Sequence, residues 1–450
     1  MKTIKEPREN IAKIWGAGKR QDQKKYRLLR YLIRKDTDDG VLLHNVVTGH
    51  LILLSESEAG MIGRLPAERT DEMTEMIESH FLVPEDYDEH EAVLKLRKLM
   101  RMTDRKKNIT GYTILPTTNC NARCFYCYEA DFRHINMTEQ IAHKTVVFIK
   151  EHCGEAKKVS LSWFGGEPTV ASNRIDRICT ELNDEGIEFT SSMISNGYLL
   201  DEEMAEKAKN LWKLQSIQIT LDGTEEVYNR VKAYKAVTDS PYRTVLRNIG
   251  YLLEREIRVS VRMNLDRHNA EDLRDLIDEL AERFEGQKLF SCYVHPLFDN
   301  CGYETVEHSD DDRLWLWAEQ KRLNERIREK TGKFESRKSF PSLAVSHCMA
   351  DNNVSAIIGP DGNLSKCEHT TEDVFGNLDE GWTDKASLEA WKETKEYPEC
   401  PGCALFPSCI VLKRCFSSTE CFESKRDADM QSAELGILSA FDKWKCDKQD

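Results

Sequence analysis

The sequence predicts an α/β fold, a partial (β/α)6 TIM-like barrel with a smaller domain on each side, and three observations predict it. Between residues 112 and 298, six short β-rich runs alternate with amphipathic helical stretches, the pattern of parallel strands joined by crossover helices. Polar signatures recur directly after these runs, where a barrel gathers its chemistry. Finally, fifteen cysteines concentrate after the first run and in the last quarter of the chain, a usage that in a reducing compartment points to metal or redox chemistry rather than disulfides.

The strand runs are YTILPTT, VSLSWF, FTSSMIS, SIQITL, RVSVRMN and KLFSCYVHP, with helices such as TEQIAHKTVVFIKEHC, DEEMAEKAKNLWK and AEDLRDLIDELAERF between them. An open sheet and a partial barrel both satisfy this alternation. The polar signatures are Cys120 to Cys127 after strand one, Gly165-Gly166-Glu167-Pro168 after strand two, Ser195-Asn196-Gly197 after strand three, Asp222-Gly223 after strand four, and Asn264 ending strand five. Their convergence on one end of a sheet says more than any one of them.

Before the barrel, GVLLHNVVTGHLILLS reads as a hairpin turning at Thr48-Gly49, followed by helical stretches around SEAGMIGRL and TDEMTEMIESHFLV. Basic residues from Lys13 to Arg30 read as a solvated tail, and residues 97–107 as a basic connector. After a charged helix over residues 309–330, the tail is loop-rich and needs staples that clustered metal ligands supply. The expected domains are residues 1–105, 106–335 and 336–450.

Composition narrows the function classes. A net charge of −14, from 64 basic and 78 acidic residues, argues against the broad basic face that nucleic acid needs. No apolar run approaches a membrane span, and MKTIKEPREN lacks the apolar core of a secretion signal, so a cytoplasmic protein is expected. Cys153, Cys179, Cys292 and Cys301 are scattered and read as small buried hydrophobes.

Cys120, Cys124 and Cys127 put three thiols on one loop. That is one short of the set that fully ligates a [4Fe-4S] cluster, and the vacancy leaves an iron open. Zinc sites prefer paired C-x2-C spacings with a distant second pair. The C-x3-C-x2-C motif, with Tyr126 before its third cysteine, resembles the signature of radical S-adenosylmethionine (SAM) enzymes. The resemblance implies a cluster whose open iron chelates the methionine part of the cofactor, giving a 5'-deoxyadenosyl radical. It also implies cofactor contacts from Gly165, Gly166, Glu167 and Pro168, which match the family's GGEP motif; from Ser195 and Asn196; from Gln218, Thr220 and Asp222; and from Arg262 and Asn264. Asp222-Gly223 also reads as a plain turn. Ten residues after Asp222 the family often has an arginine that reaches the cofactor carboxylate, and here the residue is Lys232, with Arg230 or Arg262 as substitutes.

The tail, with Cys348, Cys367, Cys400, Cys403, Cys409, Cys415, Cys421 and Cys446, resembles the SPASM extension of radical enzymes that act on peptides. By that resemblance Cys348, Cys367 and Cys415 hold one auxiliary [4Fe-4S] cluster and Cys400, Cys403, Cys409 and Cys421 a second, making three clusters in all; structural zinc is the alternative. Cys409 and Cys415 have five residues between them where the family usually has three. The N-terminal segment resembles the winged-helix-like element that grips a leader peptide. Together the regions resemble sactipeptide- and ranthipeptide-type maturases, which implies thioether formation in a ribosomal precursor peptide and an electron donor such as flavodoxin or ferredoxin. Carbon-carbon crosslinking, epimerisation with Cys292 as hydrogen donor, and anaerobic sulfatase maturation are the other products such a chain could make.

Overall fold

Each of the six runs is a strand, and their order decides between the two architectures. A computed structural model describes residues 1–17, 24–103, 108–130, 132–235, 239–297, 309–332, 339–370, 373–415, 421 and 423–448; Cys301, Lys19 and Arg20 lie outside them. The strands are β1 (Gly111–Thr117), β2 (Lys158–Gly165), β3 (Glu188–Ser195), β4 (Leu214–Thr220), β5 (Arg258–Leu265) and β6 (Phe290–Pro296). They pair in parallel in sequence order. A doubly wound sheet reverses its order at a switch point, whereas an unbroken order is that of a barrel segment wound in one direction. The intervening helices are α1 (Glu139–His152), α2 (Ser172–Asp184), α3 (Glu202–Asn210), α4 (Glu225–Lys232), α5 (Pro241–Glu254) and α6 (Ala270–Arg283), with α7 (Asp310–Thr331) after β6.

Strand alternation separates two faces. Val159, Leu161, Trp163, Ile217, Val261 and Val294 are buried in one core with helix residues such as Ile175, Ile249 and Ile277. The alternate positions, among them Ser160, Ser162, Ser192, Gln218, Ser260 and Tyr293, are at least partly exposed. The inner face is therefore small, polar and open, unlike the packed interior of a closed eight-stranded barrel.

The tail also enters this sheet. β7 (Ser355–Ile358) pairs in parallel with β1, and β8 (Asn363–Ser365), β9 (Gly376–Asn377) and β10 (Gly381–Trp382) follow as an antiparallel meander. By contact, the chain divides into two units, both discontinuous: Met1–Arg105 with Glu335–Cys348 and Glu393–Asp450, and Lys106–Phe334 with Met349–Lys392. The stretch 336–450, read above as one domain, contributes to both.

In the other unit, an antiparallel sheet runs in the order Lys2–Lys5, Leu51–Leu54, Gly40–Asn45, Leu32–Thr37. Its hairpin turns where expected. The Asn45 side chain accepts the Val47 and Thr48 N–H groups (2.9 and 3.1 Å), and Gly49 takes φ +77°, a region that favours glycine. Ser55 and Glu58 form a capping box on the helix Glu56–Ile62.

Two expectations are corrected. The basic N-terminal run is not all tail: Glu9–Ala17 is a helix whose Ile11 and Trp15 are buried, because its apolar residues fall four apart on one face. Nor is 97–107 a connector: the helix Glu89–Thr103 runs through its first half, and Arg97 is buried with Val93 and Leu96.

Candidate active site

The Cys120–Cys127 loop leaves β1 and is fastened at both ends. Thr118 exchanges hydrogen bonds with residue 135: its N–H donates to the Ile135 carbonyl (2.9 Å) and its Oγ1 accepts the Ile135 N–H (2.8 Å). The Asn119 N–H donates to Thr117 Oγ1 (2.9 Å). Across the loop, the Arg123 N–H donates to the Lys232 carbonyl (2.8 Å) and the Lys235 N–H to the Asn121 carbonyl (3.1 Å). Burial pushes the Cys120 thiol up to about 12 and the Cys127 thiol up to about 11, and it raises Cys124 as well. Three half-buried thiols on one loop, each raised by desolvation, favour the protonated form unless a cationic centre takes their charge. That donor set fits an iron-sulfur cluster, which seats each thiolate on a separate iron. Among the described residues no three His, Cys, Asp or Glu side chains converge on a single ion.

Gly165, Gly166, Glu167 and Pro168 join the ends of β1, β2 and β3. A Cβ on Gly166 would lie 2.5 Å from the Asn119 carbonyl oxygen and 2.6 Å from that of Thr118, so the two chains meet only because there is no side chain. Glu167 is fully buried. Its Oε1 accepts the Thr169 N–H (3.1 Å), the Thr169 hydroxyl (2.5 Å) and the Ser195 hydroxyl (2.8 Å). Oε2 accepts the Asn196 N–H (2.7 Å). Burial raises this carboxyl and the hydrogen bonds oppose the rise. Asn196 Nδ2 donates to Asn121 Oδ1 (2.7 Å) and lies 4.0 Å from Cys120 Sγ, so the third strand's motif reaches the thiol loop through one side chain.

Beyond β4, Asp222 is buried at the centre of a second network. Tyr126 donates its hydroxyl to Asp222 Oδ2 (2.6 Å), Lys232 Nζ lies 3.0 Å from the same oxygen and 2.9 Å from the Tyr126 hydroxyl, and Asn264 Nδ2 donates to Oδ1 (2.9 Å). On the inner face, Gln218 Oε1 accepts the Tyr293 hydroxyl (2.7 Å). Arg262 Nε donates to Asn264 Oδ1 (2.9 Å), with His295 Nδ1 3.3 Å from Nη2. Thr220 is partly exposed and registers with Arg262. Burial, then the charge of Arg262, lowers His295 to about 4, leaving a neutral imidazole.

Sequence reading missed several polar groups here. Asn269 donates to the carbonyls of Asp222 (3.1 Å) and Asn264 (2.8 Å), fixing the turn after β5. Glu129 is buried, two residues past Cys127, and burial raises it to about 8. Tyr128 sets its ring centre 4.5 Å from that of His369, tilted by 55°, and feels the charges of Cys127 and Cys367. Pattern alone could not flag them, since each becomes polar-and-buried only through packing. Cys292 is corrected: it lies three residues into β6 on the helix-facing side, beside Leu280, Phe284 and Ile327, and Tyr293 takes the inner face.

In the other unit Cys400, Cys403 and Cys421 all act electrostatically on the Cys409 thiol. The Tyr397 N–H donates to Cys400 Sγ (3.2 Å), and Arg426 Nη1 reaches Cys421 Sγ (3.7 Å). Arg97 Nη2 donates to the carbonyls of Phe406 (2.6 Å), Pro407 (3.0 Å) and Cys409 (2.7 Å), with its guanidinium 4.8 Å from the Phe406 ring centre. Four thiols ringed by donors fit a fully ligated cluster. Cys348 and Cys415 belong to this unit and Cys367 to the other; Cys446 is exposed at the end of the helix Glu423–Cys446.

Comparison with known proteins agrees with this geometry. Residues 114–280 match the model of the radical SAM superfamily. Fe-coproporphyrin III synthase of Methanosarcina barkeri is 24% identical over 254 residues, 56% of this chain and 58% of that one. Radical SAM cyclopropyl synthase TigE of Paramaledivibacter caminithermalis is 23% identical over 205 residues, 39% and 42% of the two chains. This chain thus spans less than two thirds of the length of either relative. Among solved structures, native anSMEcpe with bound AdoMet and Cp18Cys peptide superposes with a TM-score of 0.54 at 17% identity, covering 75% of this chain and 99% of that one; it shares the fold. The three-thiol loop after β1 and the parallel strands β2 to β5 lie inside the stretch, residues 114–280, that matches the radical SAM superfamily model.

Proposed function

We propose that the chain is a radical SAM peptide maturase that closes thioether bonds between cysteine sulfurs and carbons of a ribosomally made precursor peptide. The observation that carries the reading is the pairing of two thiol sets in one chain: a three-thiol loop at the mouth of a polar, open inner face, and a four-thiol set in a unit built on the N-terminal hairpin. Cys120, Cys124 and Cys127 hold the cluster that carries the cofactor. Cys400, Cys403, Cys409 and Cys421 hold one auxiliary cluster. When bound, S-adenosylmethionine and its cluster supply hydrogen-atom abstraction through a 5'-deoxyadenosyl radical.

The chain's own side chains bind and orient. Gly165, Gly166, Glu167 and Pro168, with Ser195 and Asn196, shape the cofactor's floor. Gln218, Thr220, Arg262 and Asn264 face it from β4 and β5. A leader segment adds beside Leu32–Thr37, the terminal strand of its sheet, where unpaired backbone groups supply affinity without constraining the core peptide. Flavodoxin or ferredoxin serves as electron donor in the cytoplasm; no helix among the described residues is long and apolar enough to cross a membrane. Cys292, the thiol considered for epimerisation, lines the helix-facing pocket with Leu280 and Phe284.

The test is mass spectrometry of a short cysteine-rich peptide encoded beside the gene. It follows anaerobic incubation with reconstituted protein, S-adenosylmethionine and a reductant, then thiol alkylation. Loss of two hydrogens per crosslink, with cysteines that no longer alkylate, is expected. Two hydrogens lost with every thiol still reactive moves the bond to carbon. Unchanged mass with deuterium gained from solvent means epimerisation, and replacement of a cysteine sulfur by an aldehyde oxygen means sulfatase-type maturation.

A further inference from the structure

Lys232 occupies the position at which related sequences often place an arginine directed at the cofactor carboxylate, yet its ammonium is spent inside the protein. It is 3% exposed, with Asp222 Oδ2 at 3.0 Å and the Tyr126 hydroxyl at 2.9 Å. The Asp222 carboxylate is saturated in turn by Tyr126 and Asn264. Tyr126 precedes Cys127 by one residue, and the charges of Lys232 and Asp222 act on the Cys124 thiol with opposite signs. The Lys232 carbonyl takes the Arg123 N–H, so this residue grips the thiol loop by both its side chain and its backbone.

A positive and a negative group buried side by side near a cluster thiolate act on that thiolate with opposite signs and little screening. Hydrogen bonds and charges around cluster sulfurs set the reduction potential. We propose that Lys232, Asp222 and Tyr126 form a charge-balanced brace that positions Cys124 and sets the potential of the S-adenosylmethionine cluster, with Lys232 raising it and Asp222 lowering it. Lys232 is thus a positioning residue and does not bind the cofactor carboxylate. The inference rests on the radical SAM domain and is independent of the peptide chemistry proposed above.

The experiment is an EPR-monitored redox titration of the anaerobically reconstituted full chain, following the reduced-cluster signal that changes on adding S-adenosylmethionine. Iron content and cofactor affinity are measured on the same samples. Lys232→Met is expected to shift the midpoint down, Asp222→Asn to shift it up, and the double variant to return close to the wild-type value, the non-additivity of a coupled pair. Lys232→Arg keeps the midpoint near wild type. If both single variants shift it in the same direction, or neither shifts it, the brace is overturned. An unchanged midpoint with weakened S-adenosylmethionine binding in Lys232→Met overturns it in favour of a carboxylate contact. Should Lys232→Met fail to take up iron, Asp222→Asn decides alone, and a midpoint that does not rise overturns the proposal. A wild-type chain with no signal responsive to S-adenosylmethionine overturns the radical SAM reading together with the brace.

Discussion

The two thiol sets solve the same electrostatic problem by different means. Around Cys120, Cys124 and Cys127 the charges are internal and balanced: Lys232 against Asp222, with Glu167 held by four donors. Around Cys400, Cys403, Cys409 and Cys421 the charges are peripheral and of both signs, with Arg97 and Arg426 making hydrogen bonds, Lys425 acting on Cys409 and Glu396 on Cys400. Cys409 itself is exposed. A site that must be reducible yet hold back from solvent is built on neutral pairs, whereas a site that only exchanges electrons tolerates water and surrounding charges.

The largest effect that can break this contrast is Cys124→Ala. It removes one of three ligands at a site with none to spare, so reductive cleavage of S-adenosylmethionine is expected to vanish while auxiliary iron and its absorbance persist; simultaneous loss of both irons would show that the two sets are not separate. Next is Arg97→Met. It removes the side-chain donor to the carbonyls of Phe406, Pro407 and Cys409, of which the first two keep the Cys409 and Ala344 N–H groups, and should cost roughly 3 kcal/mol in its unit, read by denaturant unfolding. Auxiliary iron should fall while cofactor cleavage is retained.

A smaller effect is read at His44 in the N-terminal hairpin's unit through its pH dependence. His44 is buried, its Nε2 2.6 Å from the Pro341 carbonyl oxygen, and burial lowers it to about 4 from an ordinary 6.5. With the folded value below the unfolded one, the unfolded chain binds the extra proton first. Stability is complete above pH 6.5 and declines as pH falls towards 4, by up to about 3 kcal/mol. His44→Gln should flatten that slope, and a slope unchanged in the variant would place its origin elsewhere. Smallest is Gly166→Ala. Its Cβ meets two backbone oxygens at 2.5 and 2.6 Å, an overpacking of roughly 2 kcal/mol that should displace the thiol loop and reduce its iron uptake, leaving Cys400 to Cys421 untouched.

Local signals were legible in the sequence. All six barrel strands, the hairpin at Gly49 and the motif positions at the strand ends follow from period-two alternation and turn chemistry. What escaped depends on distant partners. Arg97 reads as one charge in a basic run, and only carbonyls some 300 residues further along make it a buried donor. Lys232 resembles a cofactor contact until Asp222 and Tyr126 are seen to occupy it. The SAII run of β7 is four residues long, and nothing local says that it will extend a sheet begun at Gly111. Cys292 has the alternation of a strand residue, yet which side faces inward is set by the helices that cover the other.

The pairing of β7 with β1 carries a consequence for biogenesis. The strand that launches the thiol loop gains its outer neighbour only when chain from about 240 residues later has been made, and the other unit likewise waits for Glu393–Asp450. During synthesis neither unit can close early, and the barrel sheet spends much of translation with β1 as an open strand edge. Such non-local pairing slows folding, and it also keeps the cysteine loops reachable by iron-delivery machinery until the last segments emerge from the ribosome. A ribosome stalled near residue 335 should therefore present a barrel still sensitive to protease, and its release into the full chain should be the step that confers resistance.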